Sequence, residues 1–224
     1  MAEPKRNPPT KDSPYCLLVE GSSDQHSIIH LMKRHGYNWD SPNHNRPFVL
    51  SYGGIPKLPK AITAQKTKPR LGIVVDADER PEQRWREVTN WLQPVVTRLP
   101  DQPSPGGLIL DGLEPGSKVG IWLMPDNRSQ GALEDLVCEL VPSGDACWDY
   151  AGEQAQEAKR RYGRDKLSFG YDLKSRLHTW LAWQEEPGQS FGQALKKEKL
   201  MRHDTPTALA FADWFRRLFP EQAA

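Results

Sequence analysis

Two short apolar runs that stop abruptly on carboxylates constrain this chain more than any other feature. Leu17-Leu18-Val19 runs into Glu20-Gly21, and Leu71-Gly72-Ile73-Val74-Val75 runs into Asp76-Ala77-Asp78. An uninterrupted apolar run bounded by turn residues suits a strand buried on both faces, as parallel strands in α/β domains are. Ligand chemistry in such sheets collects just beyond the carboxyl ends of the strands. Glu20, Asp76 and Asp78 are therefore expected to meet in one crevice. Residues two apart on a strand share a face, so Asp76 and Asp78 present their oxygens together if the extended backbone continues that far. Carboxylates gathered this way call for a hard divalent cation, which takes oxygen ligands.

The flanking segments predict strands alternating with helices. Tyr15 to Glu20 reads as the first strand, Gly21 as a turn, and Ser22 with Gln25 as a capping box opening a helix toward Gly36. Phe48 to Tyr52 reads as a second strand, Ile55 to Lys66 as a helix with prolines near its start, and Leu71 to Asp76 as a third strand. Pro81 to Leu99 reads as a helix disturbed at Pro94, Leu108 to Leu110 and Val119 to Leu123 as two more strands, and Gly131 to Leu140 as a helix. Helices follow over Asp149 to Arg161, Leu173 to Trp183 and Pro206 to Leu218, with Glu185 to Gly192 as a loop. The expected architecture is an α/β, mostly parallel sheet flanked by helices, with a C-terminal helical extension. The boundaries are a disordered tail over residues 1–14, an α/β core over 15–145, and helices over 146–224 packed on that core.

The balance of charge excludes little. Across 224 residues the net charge is +1, which exerts no overall pull on nucleic acid or anionic membrane. Any polyanion must be held by local patches. Cys16, Cys138 and Cys147 have neither disulfide regularity nor zinc spacing and read as thiols of a reducing compartment. No signal-peptide core or membrane-length apolar stretch stands out, so the expected location is cytoplasmic.

Val19-Glu20-Gly21-Ser22-Ser23-Asp24 together with Asp76-Ala77-Asp78 resembles the signature of the Toprim domain. That module is shared by DnaG-type primases, type IA and type II topoisomerases, RecR-like repair proteins, small maturation ribonucleases and OLD-family nucleases. The resemblance spans Tyr15 to about Leu140 and implies a Rossmann-like fold. It also implies Mg2+ or Mn2+ held by Glu20, Asp76 and Asp78 and acting on phosphodiesters of DNA or RNA. The chain looks closest to OLD-type nucleases and standalone Toprim-like proteins. This adds Asp24, four residues after the glutamate, and Glu134, from Gly131-Ala132-Leu133-Glu134-Asp135-Leu136, as metal ligands. It further adds Lys174, near the start of a later helix, as a cation beside the scissile phosphate. The implied catalytic set is Glu20, Asp76, Asp78 and Lys174. OLD-type Toprim domains commonly work with an attached ATPase, which makes a separate ATPase a candidate partner and a partner-dependent, non-catalytic module the alternative. Asp78-Glu79-Arg80-Pro81 departs from the glycine-containing continuation of primases, topoisomerases and maturation ribonucleases, which argues against the first two activities.

Two basic clusters, Lys159 to Lys166 and Lys196 to Arg202, read equally well as solvated helix faces or as a track for phosphates. Trp180 and Trp183 suit base stacking, but their helical spacing with Leu177 and Leu181 favours core packing. His26 and His30 share a helix face without a third metal ligand in view.

Overall fold

The computed structural model describes residues 9–39, 46–162 and 171–221. Five strands form one sheet: β1 (Tyr15–Val19), β2 (Phe48–Ser51), β3 (Arg70–Asp76), β4 (Leu108–Asp111) and β5 (Lys118–Met124). Their order is β2-β1-β3-β5-β4. All pairings are parallel except that of β4 with β5. The chain is thus a mixed α/β protein of Rossmann-like kind, as the alternating pattern predicts.

Two apolar layers hold the sheet. Cys16, Leu18, Ile73, Val75, Ile121 and Leu123 point to one face, where they meet α2 (Leu58–Ala64) and α3 (Pro81–Leu92). Leu17, Val19, Val74, Trp122 and Met124 point to the other. That face is covered by α1 (Ser22–Arg34), α4 (Leu133–Glu139), α5 (Ala146–Arg161), α6 (Tyr171–Ala182), α7 (Phe191–Ala194) and α8 (Pro206–Leu218). The alternation follows from the period of two along a strand.

The C-terminal helices are part of the main core. Trp214, Phe211, Phe215, Leu218 and Phe219 are fully buried in the layer that includes Leu17 and Trp122. Each such side chain contributes about 1.5–3 kcal/mol on leaving water. Gly72 and Gly120 make the approach possible. A Cβ on Gly120 would lie 2.3 Å from Leu218, and one on Gly72 would lie 2.6 Å from Leu17 and 2.9 Å from Phe219.

Several boundaries differ from the sequence reading for identifiable reasons. Helix α1 is capped at Gly21, and the side chain reaching back is Asp24, which accepts from the Gly21 amide at 2.6 Å, so the predicted Ser22–Gln25 box is displaced by one residue. The helix predicted to continue to Leu99 ends at Leu92, two residues before Pro94. Helix α5 starts at Ala146 because the Asp145 carboxylate accepts from the Trp148 amide, earlier than Asp149. Ser190 caps the short α7 just where a loop was expected to end. The tail is pinned before residue 14: the Lys68 ammonium donates to the carbonyls of Lys11 and Ser13 at 3.0 and 2.6 Å. The rest of the predicted tail, residues 1–8, and residues 163–166 of the first basic cluster lie outside the described residues.

Candidate acidic functional site

The strand order places the site. After β1 the chain crosses to β2 on one side and then to β3 on the other, so the direction in which strands are added reverses between β1 and β3. Crevices form at such switch points, outside the carboxyl ends of the strands. Glu20 follows directly on β1 and Asp76 ends β3. Asp24 joins them from the first turn of α1, Glu134 from the first turn of α4, and Lys174 from α6.

Their mutual influence shows in their acidities. Asp76 is held well above the usual carboxylate range, first by burial and then by the charges of Asp24, Glu20 and Glu134. Burial raises Glu20, with Asp24 and Asp78 adding to it. Burial also raises Asp24; the Gly21 amide opposes the shift and Glu134 reinforces it. Burial acts to lower the Lys174 ammonium, but Glu134, Asp76 and Asp24 outweigh this and raise it. Glu20, Asp24, Asp76, Glu134 and Lys174 thus form one electrostatic unit.

Asp24, Asp76 and Glu134 each have an internal partner. Asp76 Oδ1 accepts from the Leu133 amide at 3.1 Å, fastening β3 to the start of α4. Glu134 Oε1 lies 3.0 Å from Lys174 Nζ. Asp135 repeats the device used by Asp24, accepting from the Ala132 amide at 2.7 Å, so both helices entering the crevice are capped by an aspartate in their first turn.

Asp78 departs from the predicted arrangement. The strand ends at Asp76, and Asp78 takes a left-handed backbone with φ 54°. The period-two alternation is broken there, so the two aspartates do not present their oxygens side by side as strand neighbours. Asp78 instead forms an ion pair with Arg84 and exchanges backbone hydrogen bonds of 2.9 Å in both directions with Gly131. Gly131 has φ 140°, and a Cβ there would lie 2.7 Å from the Asp135 carboxylate. Arg84 also donates to the Asp76 carbonyl at 3.0 Å and to Glu87 at 2.9 Å. Ala77, Asp78, Arg80, Gln83 and Arg84 line an open cavity of about 460 Å³.

The donor set suits a hard divalent cation in kind, being carboxylate oxygens whose repulsion a cation relieves. In arrangement, no three Asp, Glu, His or Cys side chains among the described residues gather round one point as a metal shell. Asp24, Asp78 and Glu134 would have to turn from their present partners to join Glu20 and Asp76.

Tyr52 and Arg84 belong to the site and were not singled out from sequence. Tyr52 follows β2, its amide donating to the Val19 carbonyl at 2.9 Å, and Ser51 is paired with Val19. Its hydroxyl is buried with no hydrogen-bond partner among the described residues. Burial, then Glu20, Asp76 and Asp24, push the phenol's pKa up. The Gly53-Gly54 turn that follows was the available signal, because it fixes this residue at a strand end.

Other candidates are resolved more simply. Trp180 is buried and donates to Asp145, as core packing predicts, whereas Trp183 is 45% exposed and stacks on Tyr150. His26 Nδ1 lies 2.7 Å from the Ser22 carbonyl, and burial lowers His30 to about 4. Arg160 and Arg161 share Glu157, and Lys159 pairs with Asp172, so each cation in the described part of the first basic cluster has a carboxylate partner. Cys16 is buried and its thiol is pushed up to about 12, which makes it unreactive.

Fold and site together define a Rossmann-like α/β protein with an acidic crevice at the β1/β3 switch point. The chain belongs to the family described as "Protein of unknown function (DUF3226)", whose pattern matches residues 14–220 and so spans both the sheet and the C-terminal helices. No curated protein and no solved structure matches the chain. No helix among the described residues is long and apolar enough to cross a membrane.

Proposed function

We propose that this protein is a Toprim-type, Mg2+- or Mn2+-dependent phosphodiesterase acting on DNA or RNA in the cytoplasm. The observation that carries the reading is the buried Asp76, set against the charges of Glu20, Asp24 and Glu134 at the switch point of the sheet, with Lys174 paired to Glu134. Glu20, Asp24, Asp76, Asp78 and Glu134 would hold the cation. When bound, the ion supplies positive charge to the phosphodiester and lowers the pKa of a water. Glu20, whose affinity for protons is raised by burial, would act as the proton acceptor for an attacking water. Lys174 would neutralise charge developing on the phosphoryl oxygens. The free thiols of Cys16, Cys138 and Cys147 suit a reducing compartment.

The test is cleavage of single-stranded, duplex and structured DNA and RNA by the wild type and Asp76→Ala, with Mg2+, Mn2+ or excess chelator. Cleavage that needs metal and is lost in the variant is the expected result. A folded wild type that cuts none of these substrates with either metal removes the reading.

A second reading is favoured by one feature: Asp24, Asp78 and Glu134 are each engaged within the chain. On this reading the crevice completes itself only beside a partner, such as a separate ATPase, and the isolated chain binds metal or nucleic acid without turnover. Metal-dependent cleavage by the isolated chain would oppose it, and co-purification with an ATPase would favour it.

A further inference from the structure

Asp78 is fixed beside the crevice by its backbone, while its side chain is held by Arg84. Its amide and carbonyl exchange hydrogen bonds of 2.9 Å with Gly131, two residues before the Leu133 amide that binds Asp76 and three before Glu134. The main chain of Asp78 is thus tied to both segments that deliver Asp76 and Glu134. Burial first, then the charges of Asp24, Asp78 and Arg84, act on the acidity of Glu20, so both members of the Asp78–Arg84 pair are felt in the crevice. Rotation about Cα–Cβ between staggered wells is enough to change the partner of this carboxylate without moving the backbone.

Arg84 keeps its own place without Asp78. Its Nε donates to the Asp76 carbonyl at 3.0 Å and its Nη1 to Glu87 at 2.9 Å, which leaves Nη2 for Asp78. The Arg84 side chain is 13% exposed and that of Asp78 53%. A pair so open on one side adds little to stability, so a stronger partner can displace the carboxylate. The guanidinium would then stay where two other bonds hold it, one arm short of an acceptor.

The cavity of about 460 Å³ indicates what replaces that acceptor. Asp78 and Arg84 both line it, together with Glu79, Arg80 and Glu87. Arg80 is exposed and makes no ion pair among the described residues. With Asp78 in place, three carboxylates face two guanidinium groups there, which disfavours an anion. A cation in the crevice that draws Asp78 away balances those charges and frees Nη2. The planar fork of a guanidinium matches the oxygens of a phosphate. Linkage makes the effect mutual: a phosphate on Arg84 releases Asp78 to the cation by the same factor as the cation opens Arg84 to phosphate.

We propose that Arg84 is a positioning residue, a clamp that holds Asp78 off the cation until a phosphodiester takes its place on the guanidinium, so that metal and strand bind cooperatively. The inference rests on the nuclease reading of the crevice for the cation and the phosphodiester, and its test does not require turnover.

Mn2+ affinity is read from the electron paramagnetic resonance signal of the free ion. The proteins are the wild type, Arg84→Met, Asp78→Asn and the double variant, each with and without a short phosphorothioate single strand in DNA or RNA form. Without a strand, Arg84→Met is expected to bind Mn2+ about tenfold more tightly than the wild type. Loss of one positive charge acts alike in both backgrounds, whereas release of Asp78 acts in one, so the same substitution in the Asp78→Asn background should bring a clearly smaller gain. The strand should tighten Mn2+ on the wild type about tenfold more than on Arg84→Met or Asp78→Asn. If Arg84→Met does not fold, the comparison of the wild type with Asp78→Asn decides. Equal gains in the two backgrounds, or an equal strand effect on the wild type and Asp78→Asn, overturns the clamp and leaves the metal site standing. Failure of all four proteins to bind Mn2+ removes the nuclease reading, and the clamp with it.

Discussion

Lys174 Nζ lies 3.0 Å from Glu134 Oε1, so the ammonium of α6 bridges to the first turn of α4 at the edge of the crevice. The Lys174 side chain is about half exposed, and an ion pair of that kind contributes at most about 1 kcal/mol to stability. On the proposed nuclease reading, its position beside Glu134, Asp76 and Asp24 serves to place charge for a phosphate ligand.

Lys174→Ala is therefore expected to lower cleavage by about 100-fold, the scale of a lost electrostatic donor. Its melting temperature should stay close to that of the wild type. Thermal unfolding and a cleavage time course on the same preparations check both halves. A large loss of stability with intact cleavage would make the lysine a structural strut.

Asp76→Asn should stabilise the protein without metal at neutral pH while abolishing activity. The raised folded-state pKa of Asp76 means that the fold binds its proton more tightly than the unfolded chain does. That stability is fully present below the unfolded value, about 3.9, and is lost as pH rises through the folded value. Asparagine keeps an oxygen for the Leu133 amide and carries no charge. His30 and His35, both lowered to about 4 mainly by burial, act oppositely: their contribution is present above about 6.5 and lost as pH falls. The clean readout is the difference in melting temperature between variant and wild type. It should be near zero at about pH 4 and reach a few degrees at neutral pH. A constant difference across that range would contradict the assignment.

Tyr52→Phe removes a buried hydroxyl that has no hydrogen-bond partner among the described residues. Stability is expected to hold or rise, because an unsatisfied buried group costs about 1–3 kcal/mol. Metal-dependent cleavage is expected to fall, since the hydroxyl sits among Glu20, Asp76 and Asp24. Urea unfolding together with cleavage rates separates these effects. Reduced stability would show that the hydroxyl is satisfied in the folded protein.

Gly120→Ala brings a methyl group to 2.3 Å from Leu218. Overpacking of this kind costs about 1–3 kcal/mol. For a chain of this size, that corresponds to a fall in melting temperature of about 2–4 °C for each kcal/mol. Leu218→Ala in the same background should recover part of the steric loss, which a double-mutant cycle measures.

The sheet was legible because β1, β3 and β5 are buried on both faces and therefore read as unbroken apolar runs. Glu20 and Asp76 followed, since strand ends in such a sheet have a known place. Asp78 did not: whether two residues stay in register depends on the backbone angle between them, and φ 54° turned it toward Arg84. The cap at Gly21 was missed because Ser22 and Asp24 are both good capping types, and only geometry chooses between them. Tyr52 reads from sequence only as the end of a strand, and its ring is core; the hydroxyl without a partner among the described residues became evident only in three dimensions. Trp183 kept its helical spacing but falls one residue beyond the end of α6, where the face it would have shared no longer exists.

The packing of Leu218 and Phe219 against Gly120 and Gly72 has a temporal consequence. During synthesis, Glu20, Asp24, Asp76 and Asp78 leave the ribosome long before the helix that shields their strands from water. A nascent chain thus carries its acidic residues on a sheet whose one face stays partly bare until residues 206–219 have emerged and packed on Gly72 and Gly120. Loss of these last turns would expose an apolar sheet face, so truncated products are expected to be cleared or to aggregate rather than persist as a smaller working protein.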